Sequence, residues 1–220
     1  MIIAIDGPAA SGKSTAAKGA AKRLGITYLD TGAMYRAVTF GLIENDIGFK
    51  NSSNIDIFLE KIEIKFSYSQ SGVLLTLNGR DVTKEIRTAI VTKNVSEVSA
   101  LKNVRKAMVM IQREMAKIDD CILEGRDIGT VVFPDADYKF FLIADEKARA
   151  ERRLEDLKAI GEKSSIKKVK IDLLDRDMKD STRLHSPLKK SDDAIIIDTS
   201  NLGINEVIDR IVNIVNNKGH

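Results

Sequence analysis

Eight residues near the amino end, Gly7-Pro8-Ala9-Ala10-Ser11-Gly12-Lys13-Ser14, fit the pattern G-x-x-x-x-G-K-[ST]. They stand between an apolar run, Ile2 to Ile5, and an alanine-rich stretch of helical character from Lys13 to Arg23. That context matters, because the pattern works where a strand hands the chain to a helix. The glycines let backbone N–H groups converge on phosphate oxygens, and the helix start adds the positive end of its dipole. Lys13 would reach the β- and γ-phosphates of a nucleoside triphosphate, while the Ser14 hydroxyl would ligate Mg²⁺. The motif says what is bound and not where the phosphate goes.

An acid on a neighbouring strand is expected to hold the Mg²⁺, directly or through a water. Glu124, closing the apolar run Cys121-Ile122-Leu123, is the candidate; Asp6 is the alternative, and a plain strand-end surface charge is the bland reading of Glu124. Arg36 and Arg126 each follow a predicted strand, so they are expected at strand ends or loops. In an open parallel sheet the carboxyl ends of the strands border one crevice, and two guanidinium forks there could grip a second phosphate in line with the first. Structural salt bridges are the competing reading. Arg149, Arg152 and Arg153 fall at i, i+3 and i+4 of a predicted helix and share a face. They could close over a triphosphate, or be solvated and paired with Glu146, Glu151, Glu155 and Asp156.

The elements that must position these groups can be read from the apolar pattern. Ile2 to Ile5, Ile26 to Leu29, Cys121 to Leu123, Tyr138 to Ile143 and Ala194 to Ile197 read as strands buried on both faces, about five in all. Helical stretches lie between them, the last with Ile204, Val207, Ile208, Ile211, Val212 and Val215 at helical spacing. Such alternation predicts an α/β fold with a parallel sheet and covering helices. One segment differs. Ile62, Ile64, Phe66 and Tyr68 alternate with polar residues, Gln70-Ser71-Gly72 reads as a turn, and Val73 to Leu77 and Asn78-Gly79 follow, an antiparallel hairpin or meander. An inserted subdomain of roughly residues 50–92 within a single domain of residues 1–220 is therefore expected. Glu162 to Lys170, rich in Lys and Ser, reads as solvated.

The 220 residues suit one domain carrying insertions. A net charge of +3 suits an anionic small molecule and falls short of the concentrated basic face of a nucleic-acid binder. One cysteine, Cys121, allows no internal disulfide, and with only His185 and His220 beside it no metal cluster can be assembled. No secretory leader or membrane span is expected, which points to the cytoplasm. Cys121 reads as a small core residue, His185 as an exposed loop residue and His220 as a disordered terminus.

Taken together, these segments resemble the bacterial cytidylate kinases of the nucleoside-monophosphate kinase group. The resemblance runs from Ile3 to the last helix and rests on I-D-G-P-A-A-S-G-K-S-T, L-D-T-G-A-M-Y-R, D-V-T-K-E-I-R-T, E-G-R-D-I-G-T-V-V-F-P-D-A and D-R-D-M-K-D-S-T-R with S-P-L behind it. It implies a P-loop kinase core with the antiparallel insertion over the acceptor site and a helical lid near residues 147–185. It implies transfer of the γ-phosphoryl group of ATP to CMP or dCMP with Mg²⁺. With no apolar stripe that demands a partner, a mild net charge and no long apolar run, a monomer that binds neither nucleic acid nor membrane is expected. ATP would be held by Gly7 through Thr15 with Arg149 and Arg153, and Lys13, Arg36 and Arg126 would carry the catalytic charge. Thr31, Tyr35, Arg36 and Arg126 would line the acceptor phosphate, Ser96, Arg105 and Asp127 would face the base, and Arg176, Asp180 and Arg183 would contact the sugar or base. Two positions depart from the family pattern: Lys179 stands where relatives often carry Arg, and Thr31 replaces a common serine.

A carboxylate at Asp127 would accept from the N4 amino group of cytosine and repel the O4 of uracil. A kinase for UMP or for a non-nucleotide alcohol remains the nearest alternative. A nucleotide switch is the alternative of another class, though the guanine-reading N-K-x-D stretch such a switch would carry does not occur.

Overall fold

Five apolar runs become the five strands of one sheet. In the computed structural model, which describes residues 1–69, 72–159 and 161–217, these are β1 (Ile2–Asp6), β2 (Thr27–Asp30), β6 (Cys121–Gly125), β7 (Tyr138–Ile143) and β8 (Ile195–Asp198). The sheet order is β2-β6-β1-β7-β8, with β1 central and parallel to both β6 and β7. Its pairing with β6 runs in register from Ile2 opposite Cys121 to Asp6 opposite Gly125. The carboxyl ends of the two strands, and the loops that follow them, therefore stand side by side.

The chain falls into two compact units, Met1–Leu29 with Ala116–His220, and Asp30–Met115. In the first, α1 (Lys13–Leu24) and α8 (Ile204–Asn217) pack on the sheet through Ala16, Ala17, Ala20 and Ala21 from one and Val207, Ile208, Ile211 and Val215 from the other. Ile3, Ile5, Ile122, Phe140, Leu142 and Ile197 are the strand side of that core. The alanines have a use: a Cβ on Gly19 would lie 2.3 Å from Ile208 Cδ1, so the two helices approach too closely for larger side chains. The first unit also holds α6 (Glu146–Ala159) and α7 (Ile166–Thr182), joined by a small core of Ala9, Ala150, Val169 and Leu173. The Lys- and Ser-rich stretch is mostly exposed, but Val169 within it is buried and its second half is helix, begun by the Ser165 side chain accepting the Lys168 N–H at 3.2 Å. Along α7, Ile171, Leu174 and Met178 are exposed.

The second unit contains α2 (Thr31–Glu44), α3 (Ser52–Glu60), β3 (Ile64–Ser69), β4 (Gly72–Leu77), β5 (Arg80–Asp81), a short 3-10 turn (Glu85–Arg87), α4 (Ala89–Ala100) and α5 (Lys102–Met115). The three strands form an antiparallel sheet in the order β3-β4-β5. Ile64 pairs with Leu77 and Phe66 with Leu75, which puts the apolar set on the face that packs against Met34, Val38, Val98 and Met108. Asn78 and Gly79 form the two-residue loop between β4 and β5, both with positive φ (51° and 81°), the turn this dipeptide favours. Gln70, Ser71 and His220 lie outside the described residues. No helix among the described residues is long and apolar enough to cross a membrane.

Candidate active site

The loop from Gly7 to Gly12 joins β1 to α1, so its backbone opens at the carboxyl edge of the central strand. Gly7 has φ +147°, and a Cβ there would sit 2.1 Å from the Leu142 carbonyl oxygen; only glycine fits. Lys13 is 5% exposed, and its Nζ donates to the Pro8 carbonyl at 2.7 Å, curling the side chain back along the loop. Burial pushes its pKa down to about 7, and the Arg126 guanidinium pushes the same way against the pull of Glu124.

Ser14, in the first turn of α1, donates its hydroxyl to Glu124 Oε1 at 2.7 Å. Two hard oxygens from adjacent elements match Mg²⁺, which keeps several waters and substrate phosphates and takes one or two protein oxygens. The donor set fits the implied ion. Asp6 is differently engaged: Oδ1 accepts the Ile128 N–H at 2.9 Å and Oδ2 the Gly129 N–H at 2.8 Å. Burial pushes its pKa up to about 6 in spite of those bonds.

Arg126 follows β6 directly. Its Nε donates to Asp180 Oδ2 at 2.8 Å, and one terminal nitrogen donates to the Gly125 carbonyl at 3.1 Å. Asp180, on α7, also has Arg176 at 4.0 Å and Arg183 at 3.9 Å. Burial would raise the Asp180 carboxyl, but Arg126 and Arg176 outweigh it and hold the group below the usual carboxylate range. Arg176 pays for the crowding: burial, then the Arg126 charge, lowers its pKa to about 10. Asp127 lies 3.5 Å from Arg183, both side chains 5% exposed. Three arginines and two carboxylates from the 126–127 loop, α7 and its C-cap Arg183 thus form one network, buried except for the one-third-exposed Arg176.

The arginines of α6 do not form one solvent-facing patch. Arg149 is 5% exposed, donates to the Ala9 carbonyl at 3.1 Å and pairs with Asp177. Asp177 in turn accepts the Ala9 N–H at 3.0 Å, so the two partners of this ion pair hold both backbone polar groups of one phosphate-loop residue. Arg152 reaches the Thr199 carbonyl at 2.6 Å and hydroxyl at 2.9 Å, and that hydroxyl lies 3.1 Å from the Ser11 carbonyl. Arg153 is half-buried, near enough to Arg176 to lower its pKa. Lys179 pairs with Asp175 at 2.6 Å on the exposed side of α7.

In the second unit, Asp30 caps α2 by accepting the Ala33 N–H at 2.8 Å, and the helix starts at Thr31. Arg36 is therefore inside a helix and not at a strand end as the sequence suggested: the Asp30 cap starts the helix as soon as β2 stops. It donates to Thr92 Oγ1 at 2.8 Å and to the Ile86 carbonyl at 3.1 Å. Arg105, on α5, is buried with its guanidinium 5.1 Å from the Tyr35 ring centroid and donates to the Ser99 carbonyl at 3.3 Å. Thr31 is buried at the start of α2, and Ser96 is half-buried on α4.

The family model for cytidylate kinase matches residues 3–217. The chain belongs to the cytidylate kinase family. It is 47% identical over 218 residues to the cytidylate kinase of Lactobacillus johnsonii, covering 99% of this chain and 95% of that one. It is likewise 47% identical over 218 residues to that of Carboxydothermus hydrogenoformans, covering 99% and 98%. Among solved structures, an uncharacterized protein from Eubacterium ventriosum superposes with a TM-score of 0.55 at 14% identity, covering 98% of each chain. A Thermus thermophilus protein does so with a TM-score of 0.50 at 17% identity, covering 99% and 97%. These two bear on the fold alone.

Around the family's phosphate loop, Asp177 and Thr199 escaped the sequence reading, and Asp6 was read only as an alternative Mg²⁺ carboxylate. Asp6, Asp177 and Thr199 each bond to backbone groups, and a backbone partner leaves no mark in a sequence. The one available signal was position: Asp6 and Thr199 lie at the carboxyl ends of their strands, where ligands of parallel sheets bind.

Proposed function

We propose that this protein transfers the γ-phosphoryl group of ATP to CMP and dCMP, giving ADP and CDP or dCDP. The observation that carries the reading is the Ser14–Glu124 hydrogen bond at 2.7 Å, which ties the residue after the phosphate-loop lysine to the strand end that leads into Gly125-Arg126-Asp127. The acceptor oxygen of a monophosphate is already anionic, so the chemistry needs alignment and charge more than a base. Lys13, fixed by the Pro8 carbonyl, meets the β- and γ-phosphates. Arg126, with its Nε held by Asp180 and one terminal nitrogen on the Gly125 carbonyl, turns its remaining N–H groups to the phosphates, and Arg176, which shares the Asp180 carboxylate, adds charge. Ser14 and Glu124 would hold Mg²⁺, which supplies charge neutralisation between the β- and γ-phosphates.

Of the acceptor contacts, Arg126, Asp127, Arg176, Asp180 and Arg183 lie together in the first unit, around the Asp180 carboxylate. Asp127 reads the cytosine N4 amino group. Residues 147–185 act as the lid: Arg153 turns to the triphosphate, while Arg149 secures the loop at Ala9. A lid that excludes water favours transfer over hydrolysis of ATP. A single cysteine suits a reducing cytoplasm. The test is a coupled assay of ADP formation with CMP, dCMP, UMP, AMP and GMP as acceptors. CMP and dCMP should be used far faster than UMP, and purines hardly at all; equal rates with UMP would replace this reading with a general pyrimidine kinase.

A further inference from the structure

Among the buried charges that the mechanism above does not use is Asp6. Asp6 is 4% exposed, and its two carboxylate oxygens each accept one backbone N–H, from Ile128 and Gly129. Those amides come directly after Arg126 and Asp127, and they open a π-helical turn over Ile128–Val132. The first N–H groups of any helical turn have no partner inside it, so an outside acceptor fixes where the turn begins. Asp6 is that acceptor, one residue before the phosphate loop.

The turn is also held from behind. A Cβ on Gly129 would lie 3.2 Å from Lys139 Cδ and 3.5 Å from Asp6 Oδ2, so this peptide is wedged between the two side chains. Lys139 is anchored in turn by the Pro134 carbonyl and by Asp193 at 2.7 Å. The other charges that reach Asp6 are Asp127, which disfavours its ionised form, and Lys13, which favours it. Burying a carboxylate is costly where an apolar side chain would pack for less. What a carboxylate offers here, and an amide does not, is two acceptors for two parallel N–H groups.

We propose that Asp6 is a positioning residue for the acceptor half of the reaction: it fixes the backbone at Ile128 and Gly129, and with it the starting geometry of Arg126 and Asp127. This rests on the reading of those two residues as contacts to the acceptor monophosphate. Since a misplacement of about 1 Å can cost about 10²-fold in rate, slackening this brace should act on the acceptor and spare ATP.

The test compares wild type, Asp6→Asn and Gly129→Ala by steady-state kinetics with CMP and ATP varied separately, and with UMP as rival acceptor. Asp6→Asn keeps the size and one acceptor but turns an NH₂ toward the second amide. Gly129→Ala presses on the same peptide with Asp6 intact, and serves if the first variant does not fold. The expected result is a drop of about 10- to 100-fold in kcat/KM for CMP. The KM for ATP should stay within about twofold and the UMP to CMP ratio should rise, with a smaller version of the same split for Gly129→Ala. A uniform fall in both substrates' parameters with an unchanged UMP to CMP ratio, as a purely structural role would give, overturns the proposal. Wild type inactive on CMP would overturn the acceptor reading and the proposal with it.

Discussion

The Ser14 hydroxyl and the Glu124 carboxylate meet at 2.7 Å, although 110 residues separate them in the chain. Parallel pairing of β1 with β6 brings them together, because the phosphate loop and the end of β6 then open on the same edge of the sheet. Glu124→Gln tests what the contact is for. Gln still accepts from Ser14 but has no charge for a divalent ion, so kcat should fall about 10- to 100-fold. Half-maximal rate should need more Mg²⁺, with little change in melting temperature. Initial rates across a Mg²⁺ titration check this, and an unaltered Mg²⁺ requirement would remove Glu124 from the metal site.

Lys13 is expected to change protonation when ATP binds. In the free protein burial holds its pKa near 7, against 10.5 for an ordinary lysine, so at pH 8 the amine is mostly neutral. Triphosphate oxygens would raise that pKa again, and binding should take up close to one proton at pH 8 and less at pH 6. Calorimetry in two buffers of different ionisation enthalpy measures the uptake, and Lys13→Met should abolish it while slowing transfer by about 10²- to 10³-fold. The sign for stability follows from the same shift. Between about pH 7 and 10.5 the unfolded chain holds the extra proton, so this group's contribution to stability grows as pH rises through that window.

Asp127→Asn should raise the rate with UMP relative to CMP, since an amide can donate to O4 where a carboxylate repels it. The partner of Asp127, Arg183, also contacts Asp180 and the Ser186 carbonyl and keeps those contacts in the variant. The UMP to CMP ratio of kcat/KM is the measurement, and a ratio equal to that of wild type would show that Asp127 does not read the base.

The sheet was legible in the sequence because all five strands are apolar runs, although the expected burial on both faces fails in the edge strand β8, where Ile196 is 53% exposed. The hairpin was legible for the opposite reason, one wet face and one dry, together with Asn78-Gly79. The width of the second unit was not. The alternation spans only residues 62–77, and α2, α4 and α5 join the same core through Met34, Val98 and Met108; helical spacing says that a face is buried without saying against what. The arginines of α6 show the same limit. Their spacing put Arg149, Arg152 and Arg153 on one side of a helix, yet Arg149 spends its donors on Ala9 and Asp177 and Arg152 spends its own on Thr199. Glu124 was legible by its place at a strand end; Asp6 was equally visible there, and only the fold distinguished a carboxylate facing a hydroxyl from one facing two amides.

Cys121 has a practical use. It is 1% exposed in β6, and burial raises its thiol pKa to about 11, so it stays protonated and out of reach of maleimides at neutral pH. A cysteine engineered onto the outer side of α7 would then be the sole reactive handle on the native chain. A fluorophore could be attached there without first deleting any natural sulfhydryl, and its signal could follow the helix as nucleotides come and go.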